Sequence, residues 1–192
     1  MDKLSNNITK SQAYANSVKD IEELCFEKIN EKQENSNAIS QLMTIWHRPK
    51  EEHLYALKEK KNLSVVITLQ SQTEDIEFIQ NICKSLKINW INIQLHHKGN
   101  QDIFEKKDVD QIIKNGITSL HNILAQNKNE VILVHCSAGI HRSGVFSYTI
   151  LRSLSYDRKE SLEKIKSIRK MTFNGLKEYK LDYIDQNIIN SI

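Results

Sequence analysis

The residues best equipped for chemistry lie in one stretch, His135 to Gly144, which reads HCSAGIHRSG. Cys136 stands six positions before Arg142, and Ser143 follows the arginine at once. An apolar run, Val131-Ile132-Leu133-Val134, leads directly into the cysteine and predicts a buried strand; Ser143 onward predicts a helix. A loop between a strand end and a helix start curls its main-chain N–H groups around one point, which makes it an anion site. A thiol placed there is ionised more easily than a free one, whose pKa is ~8.5. Arg142 carries a planar fork that can hold two oxygens of a tetrahedral anion. Gly139 offers backbone freedom for a tight loop. Ser143 can donate a hydrogen bond to the sulfur and improve it as a leaving group. Each residue has a task if the substrate is a phosphate ester: Cys136 as nucleophile, Arg142 as charge clamp, and Ser137, Ala138, Gly139, Ile140 and His141 as the binding loop.

HCSAGIHRSG resembles the signature of the cysteine-dependent protein tyrosine phosphatase superfamily: Cys, five residues, Arg, then Ser or Thr. His141 stands where a glycine is usual. The order of apolar strand, Arg48-Pro49, helix, VVITL, helix, WINIQL, loop, helix and VILVHC is similar to that of the small dual-specificity phosphatases. Ile168-Arg169 to Phe173-Asn174 looks like their tail. The likeness runs over roughly residues 40–190. The tryptophan-proline-aspartate loop of the large tyrosine-specific enzymes is absent, and the cysteine lies too late in the chain for the low-molecular-weight type. The resemblance implies a two-step reaction through a phosphocysteine with no cofactor and no metal. It also implies a loop aspartate, upstream of the cysteine, that protonates the leaving oxygen and then activates water. Asp102, in LHHKGNQDIF, is the favoured candidate. His97 is the rival, because it occupies the place after WINIQL where the aspartate often sits, and a histidine pKa near ~6.5 suits proton transfer. Asp108 and Asp110 read instead as the cap and first turn of the next helix.

The elements that must hold this loop are legible from periodicity. Apolar spacing predicts a helix from residue 12 to about 33 through Val18, Ile21, Leu24, Cys25 and Ile29. It predicts further helices over 51–61, from Ile76 to Leu86, from Val109 to Leu124, and near 143–155, 158–170 and 175–189. Leu42–Trp46, Ser64–Leu69, Trp90–Leu95 and Val131–His135 read as strands. This alternation predicts an α/β fold with a central mostly parallel sheet of four to five strands, flanked by helices and carrying an extra N-terminal helix. Ligands in such sheets sit beyond the C-terminal strand ends, where the 136–142 loop falls. The expected organisation is an N-terminal helical extension over residues 1–38 and a catalytic domain over 39–192.

Composition narrows the class. The chain has 192 residues and a formal charge of +3 with both signs interspersed, which gives no electrostatic case for nucleic acid. No stretch approaches the ~18 apolar residues of a membrane span. The start lacks an apolar signal segment, and lipid-anchor motifs are absent. Cys25, Cys83 and Cys136 are far apart and lack metal spacing. A cytoplasmic, reducing location is the expectation. His135 is expected to support the loop, and Cys83 to be a helical core residue rather than a disulfide partner for Cys136. The leading expectation is a phosphatase for phosphotyrosine, extending to phosphoserine and phosphothreonine, whose partner is a phosphorylated protein. Inositol phosphates or phosphoinositides are the alternative, weakened because only His141 is basic within the loop. A non-catalytic phosphate-binding module is the alternative of another class.

Overall fold

The computed structural model describes residues 2–30, 40–95, 103–105, 107–127 and 129–192, with side chains from residue 12 onward. Five strands form one sheet in the order β1-β2-β5-β3-β4. They are β1 (Glu27–Lys28), β2 (Leu42–Trp46), β3 (Val65–Thr68), β4 (Asn89–Asn92) and β5 (Val131–His135). All neighbours run parallel except β1, which pairs antiparallel with β2. The helices are α1 (Asp2–Glu22), α2 (Glu51–Lys61), α3 (Ile76–Ser85), α4 (Val109–Gln126), α5 (His141–Ser153), α6 (Arg158–Ile168), α7 (Lys170–Asn174) and α8 (Glu178–Asn187). The α/β class, the mostly parallel sheet and the N-terminal helix are as the sequence predicts.

Two expectations are corrected. The helical period read from residue 12 to about 33 ends at Glu22. Ile21 packs into the core on the α2–α3 face, whereas Ile29 joins the core on the other face. One helical stripe cannot serve both faces, so the chain turns and adds β1 at the sheet edge. WINIQL also stops pairing early, because β4 ends at Asn92.

Strand alternation divides the interior. Val131 and Leu133 face α1, α2 and α3, while Ile132, Val134 and Cys136 face α4, α5, α6 and α8. Helix α5 is enclosed on every side, with all residues from Arg142 to Leu151 buried. Side-chain bonds fix it further. Tyr148 Oη donates to Asp185 of α8 at 2.7 Å, Arg152 Nε donates to the same carboxylate at 2.8 Å, and Arg158 Nη1 of α6 reaches it at 3.2 Å.

The register sets the functional end. Trp46 and Thr68 both pair with His135, so β2, β5 and β3 finish level. The segments leaving these three strands converge above the same sheet edge.

Candidate active site

The loop that leaves β5 closes on its own sulfur. Gly139 N–H donates to Cys136 Sγ at 3.2 Å. Gly139 has φ +68°, and a Cβ there would lie 2.2 Å from the Trp46 carbonyl oxygen. Both the angle and the close approach therefore demand glycine. Helix α5 starts at His141, two residues earlier than the sequence predicts, which puts Arg142 in its first turn. No side chain caps this start, whereas α6 begins with a full Asp157–Glu160 capping box. The open N–H groups at α5 are left to an anion at the loop. Ser137, Ala138 and His141 are exposed, Ile140 is half-buried, and Cys136 is only 3% exposed.

Burial alone would raise the Cys136 thiol. The Ser143 hydroxyl and main-chain N–H, the Arg142 charge and the Ile140 main chain outweigh it, and the thiol lies below its ordinary value. The Ser143 hydroxyl is buried with no other hydrogen-bond partner among the described residues, so it is available to the sulfur.

Arg142 is held by Glu74, a residue the sequence reading missed. Nη1 donates to Glu74 Oε2 at 2.6 Å and Nη2 to Oε1 at 2.8 Å, a bidentate fork. Nη1 also reaches Leu95 O at 3.1 Å, and Nη2 reaches Ser137 Oγ at 3.0 Å. Glu74 ends a 3-10 turn, Gln72–Glu74, that follows β3. Burial would raise its carboxyl. Arg142, the Ser71 N–H, the Ser137 hydroxyl and the Gln70 amide hold it well below the usual carboxylate range. Ser71 and Glu74 do form a legible capping box in the sequence, S-x-x-E. That pattern announces a turn and says nothing of a partner far along the chain.

A second brace acts from outside the loop. Arg169 Nη1 donates to Ala138 O at 3.0 Å and to Gly139 O at 2.5 Å, and Thr172 Oγ1 donates to Gly139 O at 2.6 Å. His141 Nδ1 donates to Gly175 O at 3.2 Å. The Arg169 and Thr172 bonds occupy the carbonyls of Ala138 and Gly139, while the Gly139 N–H turns to the Cys136 sulfur. Arg48 ties the third strand end: its N–H donates to Ser137 O at 3.2 Å and its side chain to Glu74 O at 2.5 Å.

His135 is wholly buried, with Nε2 2.8 Å from Thr68 Oγ1. Burial above all pushes its pKa down to about 3; Arg48, Arg142 and His47 also oppose a charge on it. The folded ring is therefore neutral where an unfolded histidine titrates near ~6.5. Between those values the unfolded chain binds more protons, so stability is complete above pH ~6.5 and is lost as pH falls toward the folded value. His135 contributes up to about 1.4 kcal/mol per pH unit in that window. His53 and His121, also lowered by burial, add to the same slope. Urea unfolding at pH 7, 5.5 and 4.5 will show this decline, and His135→Asn will flatten it. An equal slope in that variant contradicts the buried neutral ring.

Asp102, His96 and His97 lie outside the described residues. Asp110 accepts a hydrogen bond from Tyr183 Oη of α8 at 2.7 Å, and Tyr183 stacks on Phe104 at 4.2 Å. That binds Asp110 to a structural contact at the start of α4. Cys83 is buried in the core on the α2–α3 face, where burial pushes its thiol up to about 12. Cys136 belongs to the opposite face.

A recessed thiol of lowered pKa, a loop N–H turned to its sulfur and a guanidinium fixed by Glu74 define a site for displacement at a tetrahedral anion. The family description "Dual specificity phosphatase, catalytic domain" matches residues 45–180, and the chain belongs to that family of cysteine-dependent phosphatases. Solved structures share the fold. The core catalytic domain of the PP-IP phosphatase SIW14 from S. cerevisiae, in complex with citrate, is 16% identical, with 86% of each chain covered and a TM-score of 0.54. Kinase associated phosphatase, with its catalytic cysteine replaced by serine, is 11% identical, with 84% of this chain and 92% of that one covered and a TM-score of 0.60. PTPMT1 in complex with PI(5)P is 15% identical, with the same coverage and a TM-score of 0.59. No curated protein matches the chain by sequence. Among the described residues, no helix is long and apolar enough to cross a membrane.

Proposed function

We propose that the protein hydrolyses phosphate monoesters on phosphotyrosine, and on phosphoserine and phosphothreonine, of protein substrates through a phosphocysteine intermediate. In the first step the Cys136 thiolate attacks phosphorus in line with the ester oxygen. The S–P bond forms, the P–O bond breaks, and Asp102 gives its proton to the departing oxygen. In the second step water attacks phosphorus, Asp102 takes its proton, and the S–P bond breaks. Ser143 hydrogen-bonds the returning thiolate. Arg142 and the loop N–H groups of residues 137–142 stabilise the charge on the three remaining oxygens in both steps.

The observation that carries the protein-substrate reading is the placement of basic groups around the recessed sulfur. Within the loop only His141 can add charge, and its Nδ1 is engaged with Gly175 O. Arg169 is committed to the loop carbonyls on the outer side. A highly charged inositol ring would ask for more inward-facing cations than the described residues supply. A monoester on a projecting side chain asks only for the loop and Arg142. The inositol phosphate or phosphoinositide reading is kept as the second, because two structural neighbours carry those substrate classes in their descriptions. The non-catalytic alternative has no support beside the family match and the retained Cys136 and Arg142.

Phosphate release from phosphotyrosine, phosphoserine and phosphothreonine peptides, inositol phosphates and phosphoinositides tests the reading. Turnover on phosphotyrosine peptides that survives chelators supports it; turnover on inositol compounds alone replaces it. In the same assay Asp102→Asn will lower kcat on the order of 10²- to 10³-fold at neutral pH while substrate binding persists. Unchanged turnover in that variant transfers the acid role to His97.

A further inference from the structure

Positive charge is unevenly spread along the chain. Residues 158–180 hold eight Lys and Arg against three Glu, an excess larger than the +3 of the whole sequence. This stretch begins with α6 and α7. One face of α6 carries Arg158, Lys159, Leu162, Glu163 and Lys166, and with Phe173 of α7 these side chains line a groove of about 410 Å³. Its floor is apolar: Leu162 and Phe173 are half-buried and pack on the main core. Its rim is charged. Arg158 is committed to Glu178, Asp182 and Asp185. Lys159 and Lys166 are exposed, and among the described residues neither forms an ion pair. Lys166 Nζ lies 5.5 Å from the centre of the Phe173 ring. The two lysines are seven residues apart, two helical turns, so they leave the same side of α6 about 10 Å apart along its axis. Glu163 stands between them on the rim and repels an acid at the middle of the groove. The groove and the nucleophile loop share α7. Phe173 follows Thr172, whose hydroxyl donates to Gly139 O at 2.6 Å, and Arg169 just before α7 donates to Ala138 O at 3.0 Å.

We propose that the α6–α7 groove docks an acidic segment of the phosphoprotein substrate, one in which an apolar side chain is flanked by carboxylates. An extended chain rises about 3.4 Å per residue, so carboxylates three residues apart match the two lysines. The apolar side chain fills the floor over Leu162 and Phe173, and the acids meet Lys159 and Lys166. This docking role presupposes the protein-substrate reading given above. It acts outside the catalytic loop: a substrate held at both places gains affinity from the groove, which lowers KM and leaves the chemical step unchanged. The ion pairs are exposed, so salt weakens the docking. An anionic membrane is the other acidic surface that a basic face can meet. It takes up apolar side chains that project into the lipid boundary, whereas the apolar part of this face is a recessed floor between charged rims.

Two readouts on the full chain test this. The first is fluorescence anisotropy of a labelled, unphosphorylated probe peptide, Glu-Glu-Leu-Phe-Glu-Glu. The wild type will bind it saturably, and the double variant Lys159→Glu/Lys166→Glu will bind it about tenfold more weakly, a gap that narrows with added salt. Control peptides with Gln for every Glu, or with Ser for Leu and Phe, will also bind the wild type about tenfold more weakly. The second readout is turnover of a phosphotyrosine peptide with and without the same six residues attached through a flexible Gly/Ser linker. In the wild type the tail will lower KM about tenfold with kcat unchanged; in the double variant it will confer no gain. Para-nitrophenyl phosphate turnover will be equal in the two proteins, because neither lysine belongs to the loop or its braces. If the double reversal does not fold, Lys159→Gln and Lys166→Gln, made singly, decide the same point. No saturable probe binding up to ~1 mM overturns the proposal, as does equal binding by the lysine variants or equal binding of either control peptide. Binding to phosphatidylserine vesicles that the lysine substitutions abolish, with no binding of the probe, also overturns it and assigns the face to a membrane. The anisotropy readout needs no turnover, so a protein that binds the probe as expected but hydrolyses no phosphopeptide has failed the substrate reading and kept the groove.

Discussion

Cys136→Ser will fold like the wild type and lose turnover by a factor on the order of 10⁴ to 10⁶, the scale seen when a covalent nucleophile is removed. The sulfur lies at the end of β5, 3% exposed, and takes one N–H from Gly139. A serine oxygen is smaller and can accept the same bond, so the core keeps its shape. What disappears is ionisation. The environment lowers a thiol, but the same groups cannot bring an alcohol to alkoxide near neutral pH. Removing the negative sulfur also removes its repulsion of a dianionic substrate, so binding persists or tightens. Circular dichroism, a binding titration with a phosphopeptide and a turnover assay separate these statements. Residual turnover above about 1% of wild type would mean that another group performs the attack, since a general acid–base contribution alone is worth only ~10²- to 10⁴-fold.

Glu74→Gln will lower kcat/KM by about 10²-fold, although Glu74 is no part of the nucleophile loop. Its carboxylate fixes both Nη atoms of Arg142. A glutamine offers one acceptor and one donor, so one Nη–H meets an N–H and the fork rotates. A shift of ~1 Å in a clamp is enough for a loss of this size. The variant also loses about 2 kcal/mol at pH 7. That is less than the 3–5 kcal/mol of a fully buried broken pair, because Glu74 is partly exposed. The sign against pH follows from the lowered carboxyl. Its contribution is complete above the unfolded value of ~4.3 and disappears as pH falls below it. Wild type and variant will therefore differ clearly in denaturant midpoint at pH 7 and converge in acid below pH 4. A constant gap across that range contradicts an ionised Glu74 as the partner.

These two residues show what the chain discloses and what it conceals. Cys136, Gly139, Arg142 and Ser143 sit within one strand–loop–helix unit, so their offsets alone imply that they converge. The strands and the long helices were legible because each buries a regular face. Glu74 and Arg169 were not, because their roles depend on level strand ends and on a segment that returns after α6. Local pattern marks Glu74 as a turn residue and Arg169 as part of a basic helix end. The helix read to residue 33 failed for a related reason: Ile21 and Ile29 share a helical period but are claimed by opposite faces of the sheet. Periodicity reports that a side chain is buried, not which layer buries it.

Helix α5 carries Arg142 and Ser143 at one end and the middle of the core along the rest. An enzyme built this way has no slack at its charge clamp. Changes that retune which phosphate ester is accepted are affordable only on the outward rim, at Ser137, Ala138 and His141, and in the segments that overhang it. Altering the helix itself would unsettle folding and chemistry together, so diversification in this architecture is channelled into the mouth of the pocket while its floor stays fixed.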